Sequence, residues 1–166
     1  MYDELTEVDI KKMQEEIDER KAKNKFLREN IRAARELGDL SENDEYRSAK
    51  REFARNNSRI EYLENMIKTA VIIKAESAEG VVGLFDKVVL YYEDDDETSE
   101  IRLVTTLRND VLSGNISKES PLGRAIMGRK VGERVLVEVN DRVSYYVVIK
   151  SVEKGEDDHS LPISAF

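Results

Sequence analysis

Gly38-Asp39-Leu40-Ser41-Glu42-Asn43 is a short polar turn with two carboxylates, set between two long stretches with a helical rhythm. Upstream, Ile10, Met13, Ile17, Arg20, Asn24, Leu27, Ile31 and Ala34 advance by alternating steps of three and four. Downstream, Tyr46, Ala49, Phe53, Asn56, Ile60, Leu63, Ile67 and Ala70 repeat the pattern. That spacing is a heptad seam, along which two helices pack. No proline interrupts either stretch. Gly38 is a helix stop, and either Ser41 or Asn43 caps the second helix, with Asp44 and Glu45 in the first turn where the dipole favours acids. Folding about Leu40 sets Leu27 near Phe53, Ile17 near Leu63 and Asn24 near Asn56. The reading predicts an antiparallel coiled-coil hairpin over residues 1–73 with an acidic tip at 38–43. The Asn24–Asn56 pair is its register lock, because a slip leaves each amide facing aliphatic carbon. Helices of about 30 residues make a rod about 45 Å long, more than a small domain needs for stability. The rod is built for reach, and acids at its tip are placed for a partner.

Composition narrows the class. The chain has 166 residues, enough for one medium domain or two small ones. Without cysteine it has neither disulfides nor thiolate metal sites. No apolar run of about 18 residues predicts a membrane span, and the acidic N-terminus lacks the pattern of a signal peptide, so a cytoplasmic protein is expected. The net charge of −8 conceals an asymmetry. Residues 20–59 hold 12 of the 27 Lys and Arg but 7 of the 35 Asp and Glu, leaving 15 against 28 elsewhere. Arg47, Arg51, Arg55 and Arg59 recur at every fourth position with Lys50 beside them, and Arg28, Arg32 and Arg35 supply cations on the first helix. A solvated charged face is the plain account of such a run. A positive rod behind an acidic tip also suits a nucleic-acid backbone lying alongside.

After Ala70 the composition changes. Residues 74–80 are small and polar and read as a linker, and 81–152 as a small β-rich domain. Val81–Tyr92 and Ile101–Thr105 are predicted strands about an acidic turn at 93–98. Pro121 opens a short helix over Leu122–Met127, which Gly128 ends. Arg134–Val139 and Val143–Val152 form a further hairpin about Asn140-Asp141. The acidic turn lacks the alternating ligands and central glycine of a calcium loop. Residues 153–166 read as a polar tail, and its His159 is given no role. The fold class is α+β.

On these residues a resemblance can be stated. Ala33-Ala34-Arg35-Glu36-Leu37-Gly38-Asp39-Leu40-Ser41-Glu42-Asn43-Asp44-Glu45-Tyr46 resembles the tip signature of the bacterial Gre transcript-cleavage factors, and Glu119-Ser120-Pro121-Leu122-Gly123-Arg124-Ala125-Ile126-Met127-Gly128-Arg129-Lys130-Val131-Gly132 resembles their second motif. The likeness runs from about residue 5 to 152 and is nearer the GreA branch. It implies an FKBP-like second domain that binds bacterial RNA polymerase through Glu119, Ser120 and Pro121. It implies a monomer whose coiled coil enters the secondary channel of DNA-engaged polymerase and promotes cleavage of the backtracked RNA 3′ end. Asp39 and Glu42 match the functional acids and are expected to hold Mg²⁺, shared with the polymerase, and its water. The factor is then an aid to the polymerase's own hydrolysis, not an enzyme by itself. Ser41, Asn43 and Tyr46 match the tip, and Arg35 and Lys50 the basic patch that guides RNA, which Arg47, Arg51 and Arg55 extend.

Three departures stand out. Asp44 occupies a position that is usually small, Lys25-Phe26-Leu27 replaces an Arg-Pro pair, and the tail exceeds the usual end. Two other readings are a non-cleaving paralogue that blocks the channel and a coiled-coil adaptor with a folding-helper domain. A prolyl isomerase needs an aromatic-lined pocket, which Tyr91-Tyr92 and Tyr145-Tyr146, each pair split between opposite strand faces, do not suggest.

Overall fold

The computed structural model describes residues 3–38 and 43–165. Its contacts divide the chain into one unit of Ile10–Ala70 and another of Met1–Asp9 with Val71–Phe166. No helix among the described residues is long and apolar enough to cross a membrane.

The first unit holds most of α1 (Glu7–Arg35) and all of α2 (Asp44–Thr69). Every predicted seam position is buried or half-buried, with Met13, Ile17, Leu27 and Leu63 almost fully enclosed. The seam packs because the heptad spacing keeps one apolar stripe facing its partner. Helix α1 runs unbroken through Lys25–Leu27.

The middle of the seam is polar and satisfied. Asn56 Nδ2 donates to Asn24 Oδ1 at 2.9 Å, and Asn56 Oδ1 accepts from Arg20 Nη1 at 3.1 Å. Asn24 Nδ2 donates in turn to Asn57 Oδ1 at 3.1 Å. One turn away, Glu16 Oε2 accepts from Arg20 Nε at 3.0 Å and from Arg59 Nε at 2.8 Å. Arg59 is 4% exposed. That corrects the predicted four-arginine stripe, since Arg59 lies in the seam, where its charge has a carboxylate partner. Burial works to raise the Glu16 carboxyl, but the hydrogen bonds from Arg59 and Arg20 outweigh it and hold the group below its usual range.

In the second unit a five-stranded sheet has the order β5-β4-β3-β7-β6, formed by β3 (Lys87–Tyr92), β4 (Glu97–Val104), β5 (Asn115–Ser117), β6 (Arg134–Glu138) and β7 (Ser144–Glu153). Neighbours are antiparallel except β4 and β5, which are parallel. Alternation puts Val88, Leu90, Ile101, Leu103, Val135, Val137, Val147 and Ile149 in one core, which Ile126 of α3 (Pro121–Ile126) joins. Val81–Asp86, read as strand, is irregular and largely buried, with Phe85 at φ 66°.

The ends of the chain differ most from the predicted boundaries. Residues β1 (Glu4–Leu5) and β2 (Val71–Ile72) pair in parallel, so residues before Asp9 belong with the β-rich unit and not with the hairpin. Thr6 and Asp9 form a reciprocal capping box at the start of α1: Thr6 N donates to Asp9 Oδ2 at 3.0 Å and Asp9 N to Thr6 Oγ1 at 3.3 Å. The other Asp9 oxygen accepts from Arg108 Nε at 2.8 Å. Arg108, fully buried, meets Asp157 at 2.7 Å, and Thr6 Oγ1 also donates to Asp157.

The expected polar tail is therefore a strap. Lys154 Nζ pairs with buried Asp86 at 2.6 Å, Gly155 N donates to the same carboxylate at 3.1 Å, and Ser164 N donates to Leu107 O at 2.6 Å. Leu161 packs on Leu84, Phe85 and Val104. A side chain at Gly155 would meet Phe85 O at 2.0 Å, so only glycine lets the strap lie this close.

Two outcomes check this description. Glu16 has a lowered carboxyl pKa, so its contribution is full above the ordinary value of 4.5 and fades as pH falls through the folded value. Circular dichroism melts should show helix stability dropping on acidification, and Glu16→Gln should be less stable at pH 7 with a flatter acid profile. In urea unfolding, Asp157→Ala should cost about 3 kcal/mol by leaving Arg108 short of a partner in a dry site. Glu156→Ala, at an exposed neighbour, should change stability by less than about 0.5 kcal/mol.

Candidate functional site

The candidate site begins where α1 ends. Helix α1 ends at Arg35, and Gly38, three residues on, has φ 127°, a conformation that favours glycine and does not continue a helix. Asp39, Leu40, Ser41 and Glu42 lie outside the described residues. Asn43 resumes the chain and decides the capping question for itself: its Oδ1 accepts from Tyr46 N at 3.0 Å as the N-cap of α2. Its Nδ2 reaches back to Ala34 O at 2.5 Å. One amide side chain thereby ties the last turn of α1 to the first turn of α2.

Tyr46 is placed for support. Its ring lies 5.7 Å from Arg35 and 5.3 Å from Lys50. The Arg35 guanidinium, aided by Lys50, holds its phenol below the ordinary value. Asp44, the extra acid, is exposed and 3.9 Å from Arg47, which weakens that cation's contribution to the patch. Arg51 and Arg55 are exposed and have no hydrogen bond or ion pair among the described residues. With Arg59 withdrawn into the seam, the exposed patch consists of Arg35, Arg47, Lys50, Arg51 and Arg55. The burial of Arg59 was signalled only weakly in the sequence, by Glu16 at a position beside the seam.

Glu119, Ser120 and Pro121 lie in the other unit. Ser120 Oγ accepts from Gly123 N at 3.0 Å, and Pro121 is the first residue of α3, so the cap predicted from Ser-Pro is present. Glu119 is exposed, with Lys118 at 2.9 Å and Arg124 at 3.4 Å. Lys118 foremost, then Arg124, holds its carboxyl below the usual range. Lys118 also pairs with Glu4. A polar, rigidly capped corner of this kind offers a carboxylate and a proline face to a partner.

As to a metal, no group of three or more His, Cys, Asp or Glu among the described residues is arranged to hold one. Asp39 and Glu42 supply hard oxygen donors of the type Mg²⁺ prefers, but only two side chains. That donor set fits a shared ion better than a resident one.

The family model described as transcription elongation factor, N-terminal, matches residues 4–72, and that for the GreA/GreB C-terminal domain matches 77–154. The transcription elongation factor GreA of Thermotoga maritima is 38% identical over 151 residues, 90% of this chain and 97% of that one. GreA of Clostridium acetobutylicum is 39% identical over 147 residues, 87% of this chain and 93% of the relative. Among solved structures, the transcription factor Gfh1 is 23% identical with a TM-score of 0.46, covering 93% of this chain and 99% of the other. Gfh1 of Thermus thermophilus is 22% identical with a TM-score of 0.43, covering 93% and 100%.

Asn43→Ala removes both the cap and the tie to Ala34. It should cost about 1 kcal/mol of stability in denaturant titration, and amide exchange should quicken in the first turn of α2.

Proposed function

Because the chain belongs to the GreA/GreB family of transcription elongation factors, matched in both halves, we propose that it rescues backtracked bacterial RNA polymerase by promoting cleavage of the extruded RNA. The observation that carries this reading is the tip. Two carboxylates, Asp39 and Glu42, fall in sequence between the end of α1 and the N-cap of α2, and Arg51 and Arg55 on α2 are exposed with no hydrogen bond or ion pair among the described residues.

The residues divide the work as follows. Glu119, Ser120 and Pro121 dock the β-rich unit on the polymerase, and the hairpin enters the secondary channel as a monomeric probe. Arg51 and Arg55, without a hydrogen bond or ion pair among the described residues, attract the phosphates of the extruded strand, and Arg35 and Lys50 continue that field around Tyr46. Asp39 and Glu42 would hold Mg²⁺ with polymerase carboxylates. Such an ion would supply Lewis-acid stabilisation and a water of lowered pKa for phosphodiester hydrolysis. Asp39 would coordinate the ion, and Glu42 the ion or its water. The catalytic centre is the polymerase's own, so the factor alone cleaves nothing.

The test uses a stalled, backtracked polymerase complex with RNA labelled near its 3′ end, in Mg²⁺. Wild-type protein should release short 3′ fragments. Asp39→Ala and Glu42→Ala should each slow cleavage by at least about 100-fold while still binding polymerase. Binding without cleavage by the wild type would overturn the proposal in favour of a channel-blocking role. Failure to bind would leave the adaptor reading.

A further inference from the structure

At one end of the β-rich unit, the turn after β3 and the turn before β7 flank a groove of about 300 Å³. Tyr92, Asp94, Asp95, Val143, Tyr145 and Tyr146 line it. Neighbouring tyrosines on a strand face opposite ways, so the Tyr91-Tyr92 and Tyr145-Tyr146 pairs do not by themselves suggest an aromatic pocket. Tyr92 and Tyr145 nevertheless come from paired strands, two residues out of register on the same side. They stack with centroids 6.1 Å apart and planes at 30°.

The sheet already uses aromatic rings to hold cations. Arg134 lies 3.6 Å from the centroid of Tyr146, and Glu93 neutralises it through bonds of 2.8 and 3.0 Å. Lys150 lies 5.3 Å from the centroid of Tyr91, and the Tyr91 hydroxyl donates to Asp96 at 2.6 Å. The stacked pair Tyr92 and Tyr145 has no such cation among the described residues, and the carboxylates of Asp94 and Asp95 have no hydrogen bond or ion pair there. Burial holds both phenols above the ordinary value, so the rings stay neutral at physiological pH. Among the described residues, an aromatic wall thus stands beside two acids, and neither wall nor acids hold a cation.

We propose that this groove accepts an arginine side chain presented by a partner polypeptide. The chemistry selects arginine over other cations. A guanidinium stacks flat on an aromatic face and presents a planar fork of donors to carboxylates, whereas an ammonium is a compact, strongly hydrated point charge. The exposed side chain of Val143 is an apolar bed for the arginine stem. An open groove between two surface turns suits a side chain carried on another chain. The site is distinct from the tip and from Glu119–Pro121, so its existence does not depend on the cleavage reading.

The test titrates isotope-labelled full-length protein with N-acetyl-arginine methylamide while amide NMR shifts are followed. The neutral citrulline and the lysine counterparts serve as controls. Saturable shifts should centre on residues 92–95 and 143–146, with none from citrulline and weaker ones from lysine. Asp94→Asn/Asp95→Asn, confined to an exposed turn, should weaken binding by about fivefold or more with the rest of the spectrum unchanged. Tyr145→Phe should retain binding, because it keeps the ring. Equal shifts from citrulline, unsaturable shifts scattered over the surface, or undiminished binding by the double variant would each overturn the site. Equal affinity for lysine would overturn the selection of arginine.

Discussion

Two asparagines and a shared Glu16 with two arginines interrupt an otherwise aliphatic seam, and the hairpin can align them in only one register. A purely aliphatic seam could slide by a turn at modest cost, since one leucine replaces another. Sliding here would place Asn56 against carbon and strand the Arg59 charge away from Glu16, each a buried polar group left without its partner. Register in turn sets Asn43 beside Ala34, and only then can one amide cap α2 and hold α1. The tie between the two helix ends is a downstream effect of polarity in the middle of the rod.

The seam was legible because heptad periodicity is local information, and every residue assigned to it is enclosed to some degree. Arg59 was not, because a long cation at a flanking position reads as solvated unless its partner 43 positions away is known. The strap was missed for a similar reason. Its bonds join Asp157 to residues at 6 and 108 and Lys154 to Asp86, and a polar composition hides pairing over such separations. Strand β5, with three residues, carries too few side chains to show an alternation.

At the candidate site the cap at Ser120 was readable from Ser-Pro chemistry, and the turn from Gly38. The role proposed for Asp39 and Glu42 came from the resemblance, because two acids have no such chemistry of their own without a partner. With Arg59 withdrawn and Arg47 in contact with Asp44, Arg51 and Arg55, about one turn apart on α2, remain exposed without a hydrogen bond or ion pair among the described residues. A patch that compact acts over roughly one Debye length and so is sensitive to salt.

The strap also bears on how such a chain can change over generations. The family model ends at residue 154, yet Asp157 pairs with Arg108, a side chain with no exposure. Loss of the last segment alone would strand a buried charge, and replacement of Arg108 alone would strand two carboxylates. Either step passes through a poorly folding intermediate. Position 108 and the segment after Glu153 therefore form a coupled inheritance: a lineage can drop both or keep both, but it cannot readily exchange one while retaining the other.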